Sequence, residues 1–166
     1  MKWLDILKKL KRSKKAFIPR DASDEQVLDI VRGWVDVLAR EDYEVAAMAL
    51  GYALAWGEPK AQCIRNEIKR YRSPEYYPDI ENFTVTDWRT ASGGNPKPEQ
   101  NVIWYAPNNA RLRGAVSFDL PVNGKWSDLT AHFIFFENDN PNERYFLGLE
   151  EISSWVQRQR EIEDLP

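Results

Sequence analysis

Hydrophobic and polar positions alternate most clearly between Arg111 and Ile152. Val116, Phe118 and Leu120 alternate with Ala115, Ser117 and Asp119, the period of two of a half-buried strand. Leu129, Ala131, Phe133 and Phe135 alternate in the same way with Thr130, His132, Ile134 and Phe136. Asn123-Gly124 separates the two runs, and both residue types tolerate the positive φ of a tight hairpin turn. Asp139-Asn140-Pro141-Asn142 breaks the second run, and Tyr145, Leu147 and Leu149 resume the alternation. The pattern predicts a three-stranded antiparallel meander. Ile134 and Phe136 are apolar on the face opposite Phe133 and Phe135, so both faces of the middle strand call for cover.

Upstream the period changes to that of helices. Val27, Leu28, Val31, Trp34, Val35 and Leu38 form one apolar stripe, with Ser23 and Gln26 at capping-box spacing and Asp24 and Glu25 in the first turn. Asp42 is placed to cap a second helix carrying Val45, Ala46, Ala49, Leu50, Ala53 and Leu54, stopped by Gly57-Glu58-Pro59. A third helix is expected over 60–72, with Ala61, Ile64, Ile68 and Tyr71 inward. Phe83–Arg89 is strand-like in composition, 92–98 is a Gly/Pro-rich loop, and Val102–Tyr105 reads as a short strand. Residues 150–160 fit a strand edge or a short helix. Helices followed by strands imply an α+β fold: three N-terminal helices on one face of a curved antiparallel sheet of about four to six strands.

Charge sets residues 1–20 apart. Eight basic residues stand against Asp5, a net of +7; the whole chain carries −3, so residues 21–166 carry −10. Trp3, Leu4, Leu7 and Leu10 recur at helical spacing here, beside Lys8, Lys9, Lys11 and Arg12. We therefore divide the chain into a basic amphipathic segment, 1–20, and a single domain, 21–166. The segment suits an anionic membrane surface. The plainer reading, placed ahead of it, is docking of the apolar face on the acidic body; nucleic acid or another partner comes last.

Composition narrows the chemistry. Cys63 is the only cysteine and His132 the only histidine, which excludes an intrachain disulfide and a site of several Cys or His ligands. No metal or cofactor is expected: Ser92-Gly93-Gly94 is not followed by a helix that could hold phosphate, and no serine-nucleophile motif occurs. No apolar run is long enough to span a bilayer, and the first residues lack a signal-peptide core. A cytoplasmic location is the expectation, with residues 1–20 able to touch the inner face of the membrane.

His132 is the first candidate general base. Asp87, beside Trp88, is the carboxylate best suited to a raised pKa. Each has a plain structural reading as well, a strand or interface histidine and an exposed acid. Asp128 follows Trp126-Ser127 and suits backbone turn bonds better than catalysis. Trp88, Trp104, Phe133 and Phe135 are candidates to line a ligand pocket, and Ile134 and Phe136 to form an interface.

Residues 31–50, VRGWVDVLAREDYEVAAMAL, resemble the start of the nuclear transport factor 2-like superfamily. FDLPVNGKWSDLTAHF at 118–133 and LGLEEI at 147–152 resemble a bacterial group of that type without assigned function. The resemblance covers roughly 24–152. It implies a cone-shaped, cystatin-like α+β fold, with the sheet often forming a dimer interface. Members include ketosteroid isomerases, polyketide cyclases and scytalone dehydratases, and some neutralise toxins as immunity proteins. Two departures are visible. Gly57-Glu58-Pro59 leaves no room for the usual hairpin between the second and third helices, and the catalytic Asp/Tyr or Asp/His sets have no counterparts. The leading expectation is a non-catalytic binding module, homodimeric, holding a protein partner or a small apolar ligand. Alternatives are a cofactor-free isomerase, dehydratase or cyclase using Asp87 or His132, and a membrane-surface adaptor using residues 1–20.

Overall fold

A computed structural model describes residues 15–53, 55, 57–71, 83–139 and 144–154. The stripe starting at Val27 becomes α1, Asp24–Ala39. Its capping box is complete: Gln26 N donates to Ser23 Oγ at 3.2 Å and Ser23 N donates to Gln26 Oε1 at 2.8 Å. The short α2, Tyr43–Ala49, is capped by Asp42, which accepts from Val45 N at 3.3 Å. The third helix, α3, is Lys60–Lys69. The strands are β1 (Phe17–Ile18), β2 (Tyr52–Ala53), β3 (Gln100–Trp104), β4 (Leu112–Val122), β5 (Lys125–Phe136) and β6 (Tyr145–Ser154). They form one curled sheet in the order β1-β6-β5-β4-β3, antiparallel throughout, with β2 added in parallel along the edge of β6 that β1 also uses. The expected α+β architecture is present: three helices and a six-stranded sheet.

Several expected boundaries shift, each for a non-local reason. The second helix stops at Ala49 instead of running through Leu54. Leu50 turns extended and Gly51 N donates to Leu147 O at 2.8 Å, so β6 captures the chain despite its alanine-rich helical preference. At Gly51 a Cβ would lie 2.9 Å from Phe146 Cβ. The space judged too small for a hairpin therefore holds a single two-residue strand. α3 ends at Lys69, short of residue 72, and Tyr71 turns its ring edge-on to Phe83 at 5.2 Å. Phe83–Arg89 is not a strand. One bridge, Val85 to Val122, ties it to the hairpin, and it then turns at Trp88 as Asp87 Oδ1 accepts from Arg89 N at 2.9 Å. β3 begins at Gln100 rather than Val102, and β6 continues to Ser154. Ala16 and Ile18 are buried, so the folded body begins before residue 21.

The hairpin of β4 and β5 turns at Asn123 (φ 51°) and Gly124 (φ 80°), as expected. Its register is less simple. Beyond Pro121↔Trp126 the next pair is Asp119↔Thr130, so Leu120 alone faces Ser127, Asp128 and Leu129. Ser127 fills the interrupted ladder: its Oγ donates to Leu120 O at 2.6 Å and accepts from Leu129 N at 3.0 Å. A two-residue shift changes partners but keeps each side chain on its face, whereas a one-residue slip would turn the strand inside out.

Under the helices, Val116, Phe118, Leu129, Ala131, Phe133, Phe135, Leu147 and Leu149 are buried. Trp34 meets Phe133 edge-on at 5.1 Å and donates Nε1 to Ala46 O at 3.0 Å, so its one polar atom is satisfied. Gly114 is required where it stands: a Cβ there would fall 2.1 Å from Phe135 Cζ. Each fully buried ring contributes about 1.5–3 kcal/mol of transfer free energy.

Candidate functional site

The face of the sheet away from the helices is organised in rows, because paired residues on neighbouring strands point the same way. One row runs Leu112, Phe136, Phe146, Phe17. The Phe136 and Phe146 rings are 5.8 Å apart, and those of Phe146 and Phe17 are 5.2 Å apart. The adjacent row runs Ile103, Ala115, Ile134, Gly148, Tyr52. At Gly148 a Cβ would come within 3.1 Å of Phe136 Cε1 and 3.2 Å of Tyr52 Cβ, so a glycine lets both rings settle over β6. Ile103 and Tyr52 are exposed and the other side chains of the two rows are half-buried. From strand spacings, two rows across five strands cover on the order of 300 Å². That is the scale of the largest apolar patches on soluble proteins, which are often functional.

The next row is polar: Asn101, Ser117, His132, Glu151. His132 therefore lies on the outer face, with its Nδ1 3.3 Å from Ser117 Oγ. This contact was not foreseen, because the simple register from Asn123-Gly124 would set Ser117 opposite residue 130; the bulge at Leu120 moves it to His132. A serine beside a histidine is the start of a nucleophile arrangement, but acyl transfer also needs backbone donors aimed at an oxyanion. Here the surrounding amides belong to paired strands. The row after that, Asp119, Thr130, Ser153, is buried. Asp119 accepts from Thr130 Oγ1 at 2.7 Å, Glu99 N at 2.7 Å and Asn95 Nδ2 at 3.1 Å, which pins the 92–99 loop across it. The outer face is thus closed by a loop at one end and apolar at the other.

The remaining candidates disperse. Asp87 is exposed and paired with Arg89 at 3.2 Å, on the helix side of the sheet and so opposite His132. Arg89 grips Asp36 of α1 with two hydrogen bonds of 2.8 and 2.9 Å, and these, outweighing partial burial, raise its pKa. Trp88 stacks under Arg89 and Arg32, with guanidinium carbons 4.4 and 5.2 Å from its ring centre. Burial disfavours the Arg32 charge, yet Glu25 and Asp29 outweigh it and its pKa is raised. Trp88 and its cations thus join the 83–90 turn to α1. Phe133 and Phe135 are 1% and 0% exposed and serve as core rings, against Trp34 and Trp104 respectively. Trp104 is exposed at the sheet edge and donates Nε1 to Asp24 Oδ1 at 2.7 Å. Asp128 receives the Tyr71 hydroxyl. Ile134 and Phe136 lie on the outer face. Trp3, Lys8, Lys9, Lys11 and Arg12 fall outside the described residues.

Among the described residues no cluster of three His, Cys, Asp or Glu is placed to hold a metal, and no helix is long and apolar enough to cross a membrane. Comparison of the chain with protein-family models, curated proteins and solved structures finds no match.

Proposed function

We propose that this protein is a non-catalytic protein-binding module that presents the outer face of its sheet to another protein surface, in the first instance a second copy of itself. The observation that carries the reading is the pair of adjacent apolar rows centred on Ile134 and Phe136. An apolar centre of about 300 Å² bordered by the Asn101–Glu151 polar row has the make-up of one side of an interface, where a stable complex buries about 800 Å² per partner. The filling of the interior by Trp34, Phe118, Phe133 and Phe135 favours binding on the surface over a ligand inside the cone. Membership of the nuclear transport factor 2-like superfamily, a cytoplasmic location and a toxin-neutralising role belong to this same proposal. Light scattering after gel filtration tests it: the wild type runs as a dimer and Ile134→Glu as a folded monomer. A wild type that stays monomeric at about 100 µM, a weak-affinity concentration, overturns the dimer.

The +7 charge of residues 1–20 favours one further reading, attachment to an anionic membrane surface. Sedimentation with phosphatidylserine vesicles tests that, and equal binding by a chain lacking residues 1–20 rejects it.

A further inference from the structure

At the far side of the sheet from β1 and β2, β3 is the last strand among the described residues. Glu99 O accepts from Asp119 N and Tyr105 N donates to Arg113 O, both at 2.8 Å, which fixes the phase of the ladder. In an antiparallel pair the inward and outward groups alternate, so 99, 101, 103 and 105 bond to β4 while Gln100, Val102 and Trp104 turn their N–H and C=O outward. Such an edge is a template for another strand. Five large hydrophobic side chains are exposed among the described residues, and three of them, Ile103, Trp104 and Tyr105, are consecutive on this edge. Pro98 and Pro107 bound it, limiting an added strand to about the length of β3.

The two sides of the edge differ in charge. On the helix side α1 lies along β3, tied by Trp104 to Asp24 and by Arg32 Nη2 to Gln100 Oε1 at 2.9 Å. Its first two turns bring Asp24, Glu25 and Asp29 there, against the single cation Arg32, which is already held by Glu25 and Asp29. On the outer side Asn101, Ile103 and Tyr105 present an uncharged, largely apolar strip that continues into the Ile103–Ile134 row.

We infer that β3 accepts an extended segment of a partner protein as an added strand, one whose side chains alternate basic and apolar. Basic residues face the α1 carboxylates, apolar residues continue the outer patch, and the partner's backbone satisfies Gln100, Val102 and Trp104. The inference rests on the reading of the protein as a binding module, but not on its being a dimer.

The test uses the full chain and a fluorescent peptide of alternating valine and lysine. Anisotropy reports binding, and amide exchange reports protection of Gln100, Val102 and Trp104. Val102→Pro removes an outward N–H without touching a bond to β4 and is expected to weaken binding by about tenfold or more, a loss of roughly 1.4 kcal/mol. Should that variant not fold, the same peptide N-methylated on the residues that face β3 is offered to the wild type, with the same loss expected. A valine–glutamate peptide should bind more weakly than valine–lysine. Binding retained by Ile134→Glu shows that the edge acts without the dimer. No binding of the valine–lysine peptide, equal binding of its N-methylated form, or no protection at the three amides overturns the inference.

Discussion

The two faces of β5 differ by one step along the chain and by everything that covers them. Leu129, Ala131, Phe133 and Phe135 are at most 1% exposed beneath the helices. On the other side Thr130 is buried under the loop pinned by Asp119, while His132, Ile134 and Phe136 stay half-buried. Both faces carry rings and aliphatic chains, so hydrophobicity alone does not say which is the core. What separates them is that, among the described residues, the chain brings its own cover to one face and leaves apolar rows on the other. A face closed by its own chain reports on stability, and a face left open reports on association.

The largest test of that difference is a pair of truncations. Phe133→Ala should cost about 3–5 kcal/mol in urea unfolding, the range for a fully buried ring. Ile134→Ala, measured at a concentration where the protein is monomeric, should cost well under half as much. Equal losses would mean that the outer face is packed by the chain itself, and the proposed interface would fall. Next in size is Asp119→Ala, which removes the acceptor of the buried Thr130 hydroxyl and of the part-buried bonds from Glu99 N and Asn95 Nδ2. Losing these bonds costs about 1–3 kcal/mol. Amide exchange should show the 92–99 loop opening before the rest of the sheet, and uniform opening would deny Asp119 its pinning role.

Ser127→Ala removes the side chain that fills the bulge and is expected to cost about 1–2 kcal/mol in thermal or urea unfolding. A loss of a few tenths would show that the ladder repairs itself without the hydroxyl.

The smallest effect is a pH dependence. Burial raises the pKa of the Cys63 thiol, helped by Glu67 and Glu58, and burial also raises that of the Tyr43 phenol, helped by Glu41. Both groups are held neutral in the folded state, so their folded pKa values lie above the unfolded ones. Stability is then complete below the ordinary thiol value of 9.0 and is lost as pH rises through the folded values. The urea midpoint should fall between about pH 9 and 11, and Cys63→Ala should flatten the first part of that fall. A midpoint that rises above pH 9 would contradict the assignment.

Much of this could be read from the chain because it is local. The capping box at Ser23, the α1 stripe and the Asn123-Gly124 turn each depend on residues within a few positions of one another, and each appears where periodicity and turn chemistry put it. The inner face of β5 was equally legible, since alternation sorts side chains to two sides whatever the register. Its partners were not: alternation does not say which rings meet Phe133 and Phe135, and only the fold brings Trp34 and Trp104 against them. The end of α2 was misread because an alanine-rich helix would continue if Leu147 did not offer Gly51 N an acceptor from nearly a hundred residues away. Phe83–Arg89 failed as a strand because composition cannot supply a second pairing partner.

By itself, then, the sequence determined where helices start, where the hairpin turns and which side chains share a face. These follow from interactions along a few consecutive residues. The tertiary structure alone decided that Ser117 meets His132, that β1 and β2 share one edge of β6, and that β3 is the other edge among the described residues. Those outcomes turn on which distant backbone group completes a hydrogen bond, and no local pattern records that choice.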